Sequence, residues 1–130
     1  MKEVKIGNET YKMSASVLTM ANYSNIFGME ESFAKDYSKL VMCVNEFRNC
    51  YETSEDGKRK VKPSQMQKAI ELSATLLLIG TKMAYAMIKE EDINFMSYND
   101  WAKKLNGIAK DLTWVDEVVG IASSVFWWLF

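Results

Sequence analysis

Residues 66–88 read MQKAIELSATLLLIGTKMAYAMI, and the fold class turns on this stretch. Wound as an α-helix it places Leu72, Leu76, Ile79 and Met83 on one stripe and Ile70, Leu77, Ala84 and Met87 on another. A helix with apolar residues on nearly all sides reads as the central, most buried element. Gly80 sits in its interior, where glycine costs about 1 kcal/mol relative to alanine, so a second helix is expected to approach closely there. A membrane span needs roughly 20 predominantly apolar residues. Ala69–Ile88 comes near that length but carries Glu71 and Lys82, which favours a core helix over a span.

Upstream, Pro63 suits the first turn of this helix, where its missing N–H is no loss, and residues 53–62 read as a loop. Before that loop, Phe33, Tyr37, Leu40, Val44, Phe47 and Tyr51 recur at spacings of four and three. They predict an amphipathic helix from about Glu30 to Tyr51, with Glu30 and Glu31 at its electropositive end. Ser16 or Thr19 can cap an earlier helix, and Gly28 can stop it in the left-handed conformation. Residues 1–13 alternate around Gly7-Asn8 as a short hairpin or an N-terminal arm. Downstream, Ser97-Tyr98-Asn99-Asp100 and Thr113-Trp114-Val115-Asp116 both have the capping-box form. They predict a short helix through Leu105, stopped near Gly107, and a last one to about Trp128. The expected fold is mainly α: a single domain over 1–130, built as a bundle of four to five helices, with the N-terminal hairpin optional.

A chain of 130 residues fits one domain. Six glycines and one proline favour helices with short connections over a turn-rich sandwich. The formal net charge of −1 gives no field for nucleic acid or an anionic membrane. The one basic run, Lys58-Arg59-Lys60-Val61-Lys62, lies in the expected loop and reads as solvated. Cys43 and Cys50 are seven apart on a predicted helix, about 10 Å along its axis and beyond disulfide reach. With no signal peptide at the N-terminus, a reduced cytosolic protein is the simplest expectation.

Nothing in the chain is assembled for catalysis. The absence of histidine removes the commonest general base and metal ligand. Two cysteines without histidine do not make a structural zinc site. No phosphate-binding, dinucleotide-binding or nucleophile-elbow sequence occurs. The carboxylate clusters Glu30-Glu31, Glu90-Glu91-Asp92 and Asp116-Glu117 fall at helix ends, where capping and solvation account for them. No catalytic residue, cofactor or metal is expected.

The aromatic load is the remaining signal: four Trp, six Phe and six Tyr beside nine Met. They supply large, adaptable apolar surface. Most belong to the core. The terminal run Phe126-Trp127-Trp128-Leu129-Phe130 spreads round a full helix turn, more than one core face can cover. Val115, Val118, Ala122, Phe126 and Leu129 form its inward stripe, and Trp127 falls on the polar side. Two readings stand: this end contacts another chain, or it folds back under the N-terminal hairpin. The candidate contact residues are Phe126, Trp127, Trp128, Leu129 and Phe130, with Trp101 and Trp114 behind them.

Tyr11–Gly28, YKMSASVLTMANYSNIFG, carries a further signal. Its Ser14-Ala15-Ser16 turn, Leu18-Thr19, Tyr23 and Phe27-Gly28 stop precede a helix containing Lys35-Asp36. Asp100-Trp101 and Trp114-Val115-Asp116-Glu117-Val118 follow near the C-terminus. In these elements the chain resembles the tail assembly chaperones of long-tailed phages and prophages of Gram-positive bacteria. Met20 replaces the family's frequent proline, and Met29-Glu30 its Arg-Asp. The resemblance implies a cytoplasmic helper in the infected host, absent from the mature virion and without catalytic activity. It implies an oligomer that binds helical segments of the tape-measure protein and keeps that protein soluble until the tail tube assembles. No nucleic-acid or membrane partner is expected. The alternatives are a structural tail or head–tail connector subunit, and a small protein attached to membranes by its apolar C-terminus.

Overall fold

Local signals at the N-terminus are realised as hydrogen bonds. In the computed structural model, which describes residues 1–105 and 111–126, strands β1 (Lys2–Ile6) and β2 (Glu9–Met13) form an antiparallel hairpin with Val4 opposite Tyr11. Gly7, at φ 66°, takes the first turn position, where a two-residue hairpin of the II′ kind needs glycine. Alternation puts Val4, Ile6, Tyr11 and Met13 on one buried face. Helix α1 (Val17–Phe27) starts on a complete capping box: the Ser16 hydroxyl accepts from the Leu18 and Thr19 amides, and Thr19 Oγ1 accepts from the Ser16 amide. Gly28 ends it with φ 116° and ψ 156°. The φ is positive as expected, but the backbone is extended rather than left-handed helical, and the chain leaves the helix sharply.

Helix α2 (Phe33–Asn49) is shorter at both ends than its apolar period suggests. The Ser32 hydroxyl accepts from the Lys35 amide at 3.2 Å and fixes the start, leaving Glu30 and Glu31 outside the helix. Phe33, Leu40 and Cys43 are buried, with Tyr37, Val44 and Phe47 packed beside them. Cys43 and Cys50 are free thiols.

The 53–62 segment, expected as a loop, is largely a second hairpin. Strand β3 (Tyr51–Thr53) pairs with β4 (Arg59–Val61), Tyr51 lying opposite Val61 and Thr53 opposite Arg59. Its turn closes when the Ser54 amide and hydroxyl both donate to the Lys58 carbonyl, while Asp56 accepts from the Lys58 amide and Gly57 takes φ 81°. Strands of three residues have too little alternation to be read as strands.

Pro63–Gln65 forms one 3₁₀ turn that leads into α3 (Met66–Glu91). α3 is the central helix: α1, α2, α5 (Thr113–Ser123), β2 and α4 (Tyr98–Leu105) all pack on it. α1 and α2 follow one another along α3: Ser16 bonds Glu90 near one end, Glu31 and Asp36 meet Lys82 midway, and Val44 and Phe47 lie by Leu76. The protein is mainly helical, with an N-terminal hairpin. Pro63–Glu91 is long and apolar enough to cross a membrane by length and composition, but 56% of its most apolar window is buried against the rest of the protein.

Gly80 is the close approach. A Cβ there would lie 3.3 Å from the Trp114 ring tip and 3.3 Å from Val115, so α5 rests on α3 at its bare backbone. α5 also packs against β1, while Phe126 in the last described turn lies against Phe33 and Tyr37 of α2. Ser97 caps α4, accepting from the Asp100 amide. The second expected box is not made: Thr113 forms no cap, and Asp111 accepts the Thr113 amide at 3.0 Å instead. That bond and one to the Thr113 side chain hold the Asp111 carboxyl below its ordinary range. Helix α5 ends at Ser123 and a turn runs to Phe126. The helix expected to reach about Trp128 is therefore not continued over 124–126, while residues 127 and 128 and the expected stop near Gly107 lie outside the described residues.

Lys82, the charge within the apolar run, is answered by its neighbours. Its Nζ lies 2.9 Å from Glu31 Oε2 and 3.2 Å from Asp36 Oδ2, and 5.1 Å from the Phe27 ring centre. Burial works against its charge, but the two carboxylates outweigh it and hold the ammonium above its ordinary 10.5. Tyr23, fully buried, donates to Asp36 at 2.5 Å. Burial first, then that carboxylate, pushes its phenol far above 10.

Two outcomes are expected. Gly80→Leu drives a side chain into Trp114 and Val115 and should cost about 1–3 kcal/mol in urea unfolding. Folding raises the Lys82 and Tyr23 values, so above pH 10 the native state holds protons that the unfolded chain releases. Stability should therefore fall as pH rises past 10, with a shallower slope in Tyr23→Phe, measured as urea midpoint against pH.

Candidate functional site

The described aromatic side chains are buried or half-buried. Tyr11 packs edge-on against Phe95 and Trp101; Tyr85 touches Trp101, Tyr98 and Phe95; Phe27 links Tyr98 to Tyr23; Phe33 joins Tyr23 to Phe126, which lies 4.8 Å from Tyr37 between ring centres. This ladder of rings runs from the hairpin to the last described turn. It takes in two of the sequence-derived contact residues, Trp101 and Phe126, and a third, Trp114, is buried beside α3. Trp101 is wholly buried beneath Tyr11 and Tyr85, Trp114 lies on Gly80, and Phe126 fills the space between Phe33 and Tyr37. None of the three presents a surface in the folded monomer. The indole N–H groups of Trp101 and Trp114 have no acceptor among the described residues. Trp127, Trp128, Leu129 and Phe130 lie outside the described residues.

Among the described residues, the large apolar side chains left in solvent are aliphatic and methionine. On α3 they make one patch: Ile70 is 57% exposed, Leu78 61%, Met66 50% and Leu77 36%, with Ala74 open between them. At 100° per residue Ile70, Ala74, Leu77 and Leu78 share a face with Thr81, Tyr85 and Ile88 further along. The latter three are buried, Tyr85 beneath Tyr98, Trp101 and Phe95 and donating to the Met96 carbonyl at 2.7 Å. One side of α3 is thus roofed along its second half by α4 and the segment before it, and bare along its first half. The sequence supplied Ile70 and Leu77 as an apolar stripe but gave no sign that nothing would cover them. The bare ridge presents on the order of 400 Å² of apolar surface, the size at which a patch on a monomer is commonly functional.

A second feature lies on another side of α3. The end of α2, the β3–β4 hairpin and the start of α5 enclose a groove of about 410 Å³. Val44, Phe47, Leu76, Leu112 and Val115 make its apolar lining; Arg48, Arg59, Asp111 and Asp116 stand around it. Arg48 and Asp116 pair at 2.9 Å, joining α2 to α5, and both are solvent-exposed. Arg59 lies over the Tyr51 ring at 5.6 Å and donates to the Arg48 carbonyl. The basic run read as a solvated loop therefore borders a groove.

Among the described residues, no group of three or more His, Cys, Asp or Glu is placed to hold a metal ion. The arrangement offers apolar contact surface with charges at its margins. Comparison with family models, with curated proteins and with solved structures finds no match to this chain.

Ridge and core should separate in unfolding experiments. Ile70→Ser and Leu78→Ser should each shift stability by about 0.5 kcal/mol or less, as surface substitutions do. Trp101→Ala should cost about 3–5 kcal/mol. Urea midpoints for the three variants check this.

Proposed function

We propose that this protein is a non-catalytic tail assembly chaperone: a helical bundle that holds amphipathic helices of a tape-measure protein in solution until the tail tube forms around them. The observation that carries this reading is the bare ridge of α3. A folded monomer leaves Ile70, Leu77 and Leu78 in water on the very side that α4 covers further along. A helix laid on the ridge continues that packing, in the helix-in-groove mode with anchors at i, i+4 and i+7. Its open surface suits weak, reversible capture: about 400 Å² is half of what one partner contributes to a stable interface. Met66 at its end, and Met42 and Met29 elsewhere on the surface, add side chains that repack against non-identical segments. A long client with many such helices gains by effective concentration what each contact lacks. The sequence resemblance at Ser14–Gly28 and at Asp100-Trp101 supports the same reading. In it the protein acts in the host cytoplasm, self-associates to multiply its sites, and stays out of the virion.

The test is co-expression with the tape-measure protein of the same phage genome. Wild-type chain should raise the soluble fraction of the client, and Ile70→Ser/Leu78→Ser should bind it about thirtyfold more weakly, since two truncated anchors at about 1 kcal/mol each sum to about 2 kcal/mol. Undiminished capture by the double variant, or the protein found as a component of purified particles, overturns the proposal.

A further inference from the structure

Among the described residues, every helix but α1 puts charge on its exposed side. Lys39 stands in water on α2, Lys68 on α3, Lys103 on α4 and Glu117 on α5. Over residues 13–29 the chain carries no charge at all. The outer face of α1 consists of Val17, Leu18, Ala21, Asn22 and Asn25, all exposed and brought together by the helical period. Gly28 and Met29 follow at its end, and Met29 is 97% exposed. The opposite face is fixed in the protein: Thr19 and Tyr23 are buried, and Lys82 lies over the Tyr23 ring. Ser16, at the start of α1, bonds Glu90. These contacts hold α1 along the second half of α3, apart from the ridge on the first half.

We infer that the outer face of α1 is a homodimer contact, occupied by the same face of a second copy. Depletion of charge is what marks the centre of a protein interface, and here it is complete on a face turned to water. The polar groups that remain are the Asn22 and Asn25 carboxamides, each both donor and acceptor. Such a face complements itself, as a twofold contact requires. Set antiparallel across an axis level with Tyr23, two copies place large residues on small ones. Leu18 meets Gly28 of the second copy, Asn25 meets Ala21 of the second copy, and the two Asn22 amides face each other at the axis. Covering both faces removes on the order of 1,200 Å² from water, the lower bound for a specific interface. A membrane surface fits less well, because helices that lie on one carry Lys or Arg along their polar side. The inference rests on the chaperone reading only for its purpose: a pair joined at α1 leaves both ridges open and grips one client at two places.

The test is sedimentation equilibrium of the full chain between about 1 and 100 µM, where a contact of this size should show itself. Wild type should dimerise. Ala21→Lys sets two ammonium groups beside the axis and should weaken the pair about tenfold or more. Ser38→Lys, which adds the same charge on the exposed side of α2, should leave it unchanged. Equal urea midpoints for the two variants separate a lost contact from lost folding. Asn22→Cys should form an intermolecular disulfide under mild oxidation and Lys39→Cys should not, the native thiols being buried. A chain that stays monomeric throughout, or a dimer that Ala21→Lys leaves intact, overturns the inference. The chaperone reading then still stands, since client capture is read separately through the ridge variants. A dimer lost in Ile70→Ser/Leu78→Ser instead places self-contact on the ridge and also overturns it. So does a monomer that binds phosphatidylcholine vesicles through this face.

Discussion

A helix of 26 residues is about 39 Å long, and none of the helices packed on it exceeds 17 residues. No single neighbour can cover α3, so cover is assembled in relay: α1 then α2 along one side, α5 at Gly80, the hairpin and α4 over the second half. The relay is complete from Ile79 to Ile88, where nearly every residue is buried. It is incomplete before that, where α4 has no counterpart among the described residues. Both the ridge and the groove lie along this under-covered first half, so surface available for recognition follows from a mismatch of helix lengths.

The second half of α3 shows how the cover holds together. Most of the chain's rings meet there in edge-on and tilted contacts, each favourable beyond the area it buries. Lys82 sits within this apolar region because Glu31, Asp36 and the faces of Phe27 and Tyr23 surround it. That cluster also ties the bend between α1 and α2 to the middle of α3, at the point where the relay changes partners. Removing one charge would strand the others partly out of water, so the junction is specified as well as stabilised. Among the described residues, the large apolar side chains left outside are valine, isoleucine, leucine and methionine. Such side chains are flexible enough to pack against many shapes of neighbour.

The chain's pattern was enough for the N-terminal hairpin, a cap at Ser16 or Thr19, the α2 period, the central helix and the tight approach at Gly80. Each is written within one turn of helix or one pair of strands: a period, a cap, a glycine where side chains should be. Short-range chemistry misled where two local solutions compete. Thr113 has the capping-box spacing, but Asp111 reaches the amide first; residues 53–62 carry turn residues, and three-residue strands flanking them leave no period to detect.

Which apolar residues stay dry was beyond the reach of any such pattern. Ile70, Leu77 and Leu78 differ in no local respect from Leu72 and Leu76, and Trp101 and Trp114 looked as free to face a partner as any tryptophan near a chain end. Composition and period determined by themselves that this is a mainly helical protein organised around residues 66–88. Only the tertiary arrangement decided that the rings close on one another while an aliphatic ridge and the Arg59 groove stay open. The physical reason is that burial depends on what lies opposite: the reach of α4 sets it on one side of α3, and the meeting of α2, the second hairpin and α5 on the other.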